Sequence, residues 1–213
     1  MRKLDRTNIP APNCLAQYNH GQQTWADVGP AEKQSIRLHL EQMQGKRCAY
    51  CEGSLDALGN HVEHFRPKGQ HPHLTFDWGN LYWSCDRHDS CGHHKDNGAG
   101  AYNVDDLIDP CCEEPERYFR FRSDGTISVR SGLSPYDERR ARETIRVFSL
   151  DAEWGRLRRM RKEAVIGYVI SANEALDAGY TPDEIKDLFA DELEATASLP
   201  FSTAIRHVLT ESA

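Results

Sequence analysis

The stretch His61-Val-Glu-His-Phe-Arg-Pro-Lys68 lies between two cysteine pairs, Cys48-Ala-Tyr-Cys51 before it and Cys85-Asp-Arg-His-Asp-Ser-Cys91 after it. Two cysteine pairs around a His- and Glu-bearing segment form a metal-ligand pattern. Zinc accepts four thiolates as a closed tetrahedron with no open position, so Cys48, Cys51, Cys85 and Cys91 read as the ligands of a structural staple. A redox pair is the poorer reading, because a thioredoxin-like C-x-x-C sits between a strand and a helix and needs no second pair. Cys14, Cys111 and Cys112 lack partners at ligand spacing and read as core or loop thiols, although Cys111-Cys112 could supply a sulfur if one of the four is wrongly assigned.

Inside the bounded segment the pattern predicts two short strands, His61 to Phe65 and Leu81 to Ser84, the first broken at Pro67. Neighbouring strand side chains face opposite ways, but at the end of a twisted hairpin Glu63 and His64 can diverge around one reacting phosphate. The chemistry this suits is phosphodiester hydrolysis. Glu63 would hold a divalent ion, Mg²⁺ or Mn²⁺, while the neutral imidazole of His64 removes the proton of the attacking water near pH 7. Asn80 is expected to orient that ring through its side-chain amide. The second ion ligand should come from the run Cys91-Gly-His-His-Lys-Asp-Asn97 at a helix start. His94 is the first choice there, with Asp96, His93 and Asn97 left open because the helical phase is not readable.

Arg66, Lys68 and Lys95 are candidate substrate contacts, Arg66 and Lys68 as a clamp on the scissile phosphate; a solvated loop is the bland alternative for those two. Trp78, Tyr82 and Trp83 read as core in preference to base-stacking platforms. His20, His39, His61, His71, His73, His88 and His207 are read as surface or internally satisfied histidines without chemistry.

Outward from this centre the chain divides into an N-terminal arm and helix (1–45), the catalytic core (46–112) and a hairpin with a helical extension (113–213). Pro30, then Ile36, Leu40 and Met43, then Gly45 outline the first helix. Tyr118 to Arg130 reads as a hairpin turning at Ser123-Asp-Gly125. Ser134-Pro135 opens a second helix, a long third runs from near Asp151 to Gly179, Thr181-Pro-Asp-Glu opens a fourth, and a last short helix follows Ser202. The fold class expected is α+β. The chain has 213 residues and a formal charge of −7, which argues against a protein that coats a polyanion unaided. Nine Arg or Lys residues between 139 and 162 could still make a basic face, or an ion-paired one. No apolar stretch long enough for a bilayer and no secretory leader is seen, so no membrane role and a cytoplasmic location are expected.

Four blocks occur in order: the C-x-x-C of Cys48, then Glu63-His-Phe-Arg-Pro-Lys68, then Asn80-Leu-Tyr-Trp-Ser-Cys85, then Asp89-Ser-Cys-Gly-His-His-Lys-Asp96. This resembles the HNH family. More narrowly, the second block followed by Leu74-Thr-Phe-Asp-Trp-Gly-Asn-Leu-Tyr-Trp-Ser-Cys85 resembles the PtuB-like nucleases of Septu anti-phage systems and some retrons. The resemblance implies a zinc-stapled, treble-cleft-like ββα-metal core, with His64 as catalytic base, Glu63 as acidic ion ligand, Asn80 as the middle Asn and zinc on the four cysteines. It further implies nucleic-acid cleavage, DNA favoured over RNA, leaving 5′-phosphate and 3′-hydroxyl ends, and a PtuA-like ATPase partner. One position departs: many HNH proteins carry Asn or His directly after the last cysteine, where this chain has Gly92. A stand-alone restriction-type nuclease and a noncatalytic zinc adaptor are the rival readings.

Overall fold

The computed structural model describes residues 1–211. The chain is a mixed α+β protein with two small antiparallel sheets, β1 (Asn60–His64) with β2 (Leu81–Cys85) and β3 (Phe119–Phe121) with β4 (Ile127–Val129). Helices α1 (Pro30–Gln44), α2 (Leu55–Leu58) and α3 (Cys91–Asn97) surround the first sheet, and α4 (Pro135–Val147), α5 (Arg156–Asp177), α6 (Pro182–Leu188), α7 (Ala190–Thr196) and α8 (Ser202–Glu211) follow the second. The short helices α2 and α7 have no counterpart in the sequence reading.

Local chemistry sets the boundaries. Helix α1 starts on Pro30, buries Ile36, Leu40 and Met43, and stops at Gly45 with φ 61°. The Ser134 hydroxyl accepts the Asp137 N–H at the head of α4, and at the head of α6 Thr181 and Glu184 satisfy each other's backbone N–H groups, so two donors that the helix leaves unpaired are capped. Helix α5 begins later than its periodicity suggests. The Asp151 carboxylate accepts the Ile127 N–H at 2.8 Å and binds Arg158 and Arg161, which fixes the segment before Arg156 as a turn. The buried face of α5 carries Leu157, Arg161, Val165 and Ala175, while Leu176 is exposed. Arg161 fills an apolar position with its stem and directs its guanidinium to the carbonyls of Gly125 and Leu150 at 2.7 and 2.8 Å, a way of burying Arg that a hydrophobic pattern does not reveal.

The hairpin turn meets α5 at Gly125. Its φ is +85°, and a Cβ there would lie 2.0 Å from the Arg158 carbonyl oxygen. Gly125→Ala combines left-handed strain with a backbone overlap that cannot rotate away, and should lower stability by about 3 kcal/mol in denaturant unfolding. A loss under about 0.5 kcal/mol would show that the hairpin does not bear on α5.

One core cluster runs from Leu4 through the two sheets to Leu209. The N-terminal arm is pinned to it by Arg6, which donates to the carbonyls of Trp78 and Leu81 at 2.6 and 2.5 Å and lies over the rings of Trp78 and Tyr82. Tyr82 and Trp83 are buried, as expected of core aromatics. The first cysteine knuckle is tied to the C-terminal helices. Arg47 donates to the carbonyls of Ala197 and Leu199 and to the Ser202 hydroxyl at 2.9, 3.0 and 2.9 Å, and the buried Glu52 carboxylate accepts the Thr203 hydroxyl at 2.9 Å. The basic run of α4 and α5 is largely consumed by ion pairs: Arg139 with Asp106, Arg140 with Glu113, Arg142 with Glu138, Arg146 with Glu143, Arg156 with Asp89 and Arg158 with Asp151. It is not a free phosphate-tracking face. Among the described residues no helix is long and apolar enough to cross a membrane.

Candidate active site

Cys48 and Cys51 on the knuckle after α1, Cys85 at the end of β2 and Cys91 at the start of α3 are buried, with all four sulfurs within 4.8 Å of one another. A ZnS₄ tetrahedron with arms of about 2.3 Å has edges of about 3.8 Å, so the cluster has the size and donor set of a structural zinc site. Its electrostatics call for a cation. Burial pushes the Cys91 thiol up, the hydrogen bond to Cys48 pushes Cys85 up, and at Cys48 the surrounding sulfurs outweigh burial and draw the thiol well down. The cluster favours the thiolate at Cys48 over those at Cys85 and Cys91, and a bound dication is what lets neighbouring thiolates ionise together.

The staple joins the two strands to α3. In the β1–β2 register Glu63 lies opposite Tyr82 and His64 opposite Leu81, and the alternation of the strand sends their side chains to different faces. His64 is buried, its ring edge-on to Trp25 at 4.6 Å. Its Nε2–H donates to the Thr75 carbonyl at 2.9 Å, while Nδ1 lies 3.4 Å from the Lys68 ammonium. The carbonyl can only accept, so the proton sits on Nε2 and the lone pair on Nδ1. Burial and then the Lys68 charge lower the ring from its ordinary 6.5 to about 4; at neutral pH it is a proton acceptor.

Asn80 does not orient this ring directly, contrary to the expectation from sequence. Its Oδ1 accepts the Arg66 N–H at 2.7 Å, and its amide donates to the carbonyls of Arg66 and Leu74, both at 3.1 Å. One side chain thereby closes both ends of the loop between the strands and fixes Thr75, whose carbonyl holds His64. Asn80→Ala would strand three partly buried backbone groups and should cost about 2 kcal/mol in thermal unfolding. Stability within about 0.5 kcal/mol of wild type would show that the loop closes without it.

Glu63 is buried opposite the helix. Burial alone would push its carboxyl up, but a hydrogen bond from His61 at 3.2 Å and the Lys95 ammonium at 2.8 Å hold it below the usual carboxylate range. Lys95, expected to meet substrate, is instead buried between Glu63 and Asp96, with its ammonium 2.5 Å from Asp96 Oδ1. His94 turns the other way and donates Nδ1–H to the Val147 carbonyl at 2.9 Å, so it does not join Glu63. At Gly92, where a side chain would reach the carboxylate, a Cβ would come within 2.4 Å of Glu63 Oε2. The oxygens of Glu63 and Asp96 are of the kind a hard divalent ion takes, but the Lys95 ammonium fills the place between them, and His94 is not part of this group. Arg66 pairs with Asp105 at 2.8 Å, and Lys68 stays exposed beside His64.

Two residues given no chemistry or second place on sequence gather here. His61 shares a strand face with Glu63, and its ring centroid lies 4.3 Å from that of His93; both histidines cluster with Asp86. The period-two relation of His61 to Glu63 was the available signal. His207 is the satisfied histidine expected, accepting the Phe121 N–H at 3.1 Å.

A buried four-cysteine cluster of zinc-site size beside a hairpin, a helix and a His-Glu pair defines a mixed α+β protein with a candidate metal knuckle. By sequence the chain is a relative of the PtuB-like HNH proteins. It is 34% identical over 90 residues, 41% of this chain and 33% of the relative, to the Septu protein PtuB of Bacillus thuringiensis. Over 147 residues, 67% of this chain and 70% of the relative, it is 25% identical to the assigned HNH endonuclease of retron Vc95 from Vibrio cholerae. A Septu protein PtuB of Bacillus mycoides is 25% identical over 146 residues, 55% of this chain and 47% of the relative. The chain thus spans a third to about half of the length of the Septu relatives it matches. No family model matches.

Proposed function

We propose that the chain is a metal-dependent HNH nuclease with a ββα-metal core, acting in the cytoplasm as the nuclease subunit of an ATPase-coupled anti-phage complex. The observation that carries this reading is the state of His64. Its proton is pinned on Nε2 by the Thr75 carbonyl, its Nδ1 lone pair is left to accept, and Glu63 is the adjacent residue on the same strand.

In this mechanism Nδ1 of His64 takes the proton of the water that attacks phosphorus, and Thr75 keeps the ring in its working tautomer throughout. Lys68, 3.4 Å from Nδ1, binds a non-bridging phosphate oxygen. Moving its ammonium onto the substrate removes part of the charge that depresses His64, so substrate arrival strengthens the base. Glu63 and Asp96 would hold Mg²⁺ or Mn²⁺, which when bound supplies charge stabilisation at phosphorus and at the leaving oxygen. Zinc on the four cysteines holds the hairpin against α3 and takes no part in the reaction.

The partner assignment is supported by the relatives' names and by charge. A chain of net charge −7 whose arginines are mostly self-paired binds a polyanion poorly by itself, which suits an assembly in which another subunit presents the nucleic acid, DNA in preference to RNA. The test is incubation of plasmid DNA and total RNA with purified protein and Mg²⁺ or Mn²⁺, with and without a PtuA-like ATPase. Cleavage that needs the ion and rises with the ATPase supports the proposal. Zinc-loaded protein that cuts neither substrate in either arm would leave a noncatalytic zinc adaptor as the better description.

A further inference from the structure

A second group of metal-ligating side chains lies outside the four-cysteine staple. His61 projects from β1, Asp86 follows the end of β2, and His93 stands in the first turn of α3; their donor atoms lie within 4.8 Å of one another. His93 Nε2 is 2.6 Å and His61 Nδ1 3.6 Å from the same oxygen, Oδ1 of Asp86.

The two nitrogens of His61 face two different acids. Nε2 lies 3.2 Å from Glu63 Oε2, and since a carboxylate only accepts, Nε2 carries the proton in the neutral ring. That leaves a lone pair on Nδ1, which is buried, has no hydrogen-bond partner, and points toward another carboxylate oxygen across a gap too wide for a hydrogen bond. Two lone pairs facing each other repel unless a cation lies between them. A dication with arms of about 2.1 Å in a tetrahedron has donor edges of about 3.4 Å, bracketed by the 2.6 and 3.6 Å found here.

Two glycines make the room. Gly59 has φ +71°, and a Cβ there would be 3.1 Å from that of Asp86; a Cβ on Gly92 would lie 3.0 Å from His61 Nε2. A third imidazole, His88, lies tilted against His93 with ring centroids 4.6 Å apart.

We propose that His61 Nδ1, Asp86 Oδ1 and His93 Nε2 form a second metal site for a divalent transition ion such as Zn²⁺ or Co²⁺, with Glu63 as the outer carboxylate that orients His61. Two imidazoles and one carboxylate suit such borderline ions better than Mg²⁺, and three protein ligands leave positions open to solvent. The hydrogen bond from a metal-bound imidazole to a carboxylate is the usual support for such a ligand. Here it places the ion one hydrogen bond from the carboxylate assigned to catalysis. The site does not depend on the chain being a nuclease.

Protein carrying one zinc per chain on its cysteines is titrated with Co²⁺, followed by calorimetry and visible absorption, as wild type, Asp86→Asn and His93→Gln. Wild type should take one further equivalent, giving weak d–d bands of a nitrogen and oxygen site without a thiolate charge-transfer band. Each variant should keep its zinc and bind Co²⁺ at least tenfold more weakly. The proposal is overturned if wild type takes no second equivalent, if the new absorption is that of a thiolate site, or if both zinc-retaining variants bind Co²⁺ as tightly as wild type.

Discussion

Cys85→Ser is expected to leave a chain that holds no zinc and shows no cooperative unfolding transition. Cys85 is the last residue of β2 and is completely buried, so its sulfur couples the hairpin to α3 through the staple. A structural zinc contributes about 10–16 kcal/mol in small zinc modules, whereas a folded domain as a whole is stable by only about 5–15 kcal/mol. Losing one thiolate therefore threatens the entire fold, and the harder, more basic serine oxygen does not replace it. Metal content by atomic emission should fall from about one zinc per chain to near zero. Cys112→Ser, at an exposed cysteine outside the cluster, should leave both zinc and unfolding unchanged. A folded, zinc-free Cys85→Ser protein with an unaltered melting temperature would remove the staple from the account.

His64→Ala should lower cleavage between about 100- and 10,000-fold, the usual contribution of a positioned general base, while zinc content and circular dichroism stay those of wild type. The pH profile carries the sign of the argument. Protonation destroys the base, and because burial and Lys68 depress the ring to about 4, only about 1% of it is protonated at pH 6. The wild-type kcat/KM should therefore stay flat from pH 8 down to about 6, where an ordinary histidine of pKa 6.5 would already have lost most of its activity. A limb centred near 6.5 would mean that the ring is not held as described, and equal cleavage by His64→Ala would assign the base elsewhere.

The parts of this site that the sequence makes legible are those fixed by spacing. Four cysteines at knuckle separations admit few arrangements other than one cluster, and Pro30, Ser134 and Thr181 mark helix starts because each satisfies a specific backbone requirement. What spacing does not encode is a backbone acceptor. The Thr75 and Val147 carbonyls that hold His64 and His94 belong to positions any residue could occupy. The phase of α3 was hidden for a related reason. Its first residue, Cys91, has φ 58°, so the helix does not continue the geometry of the preceding chain, and His94 turns to the Val147 carbonyl while His93 turns to Asp86. The basic run left two readings open because charge counts do not show partners; Asp106, Glu113 and Asp89 lie far from it in sequence and adjacent in space.

The Asn80 clasp separates the two jobs of the loop between β1 and β2. The loop backbone that holds His64 is clasped at Arg66, Leu74 and Thr75, while Lys68, Gly69 and Gln70 at its apex are exposed, the Lys68 ammonium alone among them reaching back to the ring, and no neighbouring atom lies within 4 Å of where a Gly69 Cβ would be. Lengthening such an apex adds only about 0.6 kcal/mol of closure entropy for each doubling. An insertion at Gly69 of a fluorophore or short tag therefore leaves the Asn80 clasp, and with it the register of the base, in place while it touches the neighbouring Lys68, so the arrival of nucleic acid can be reported from a point next to the reacting centre.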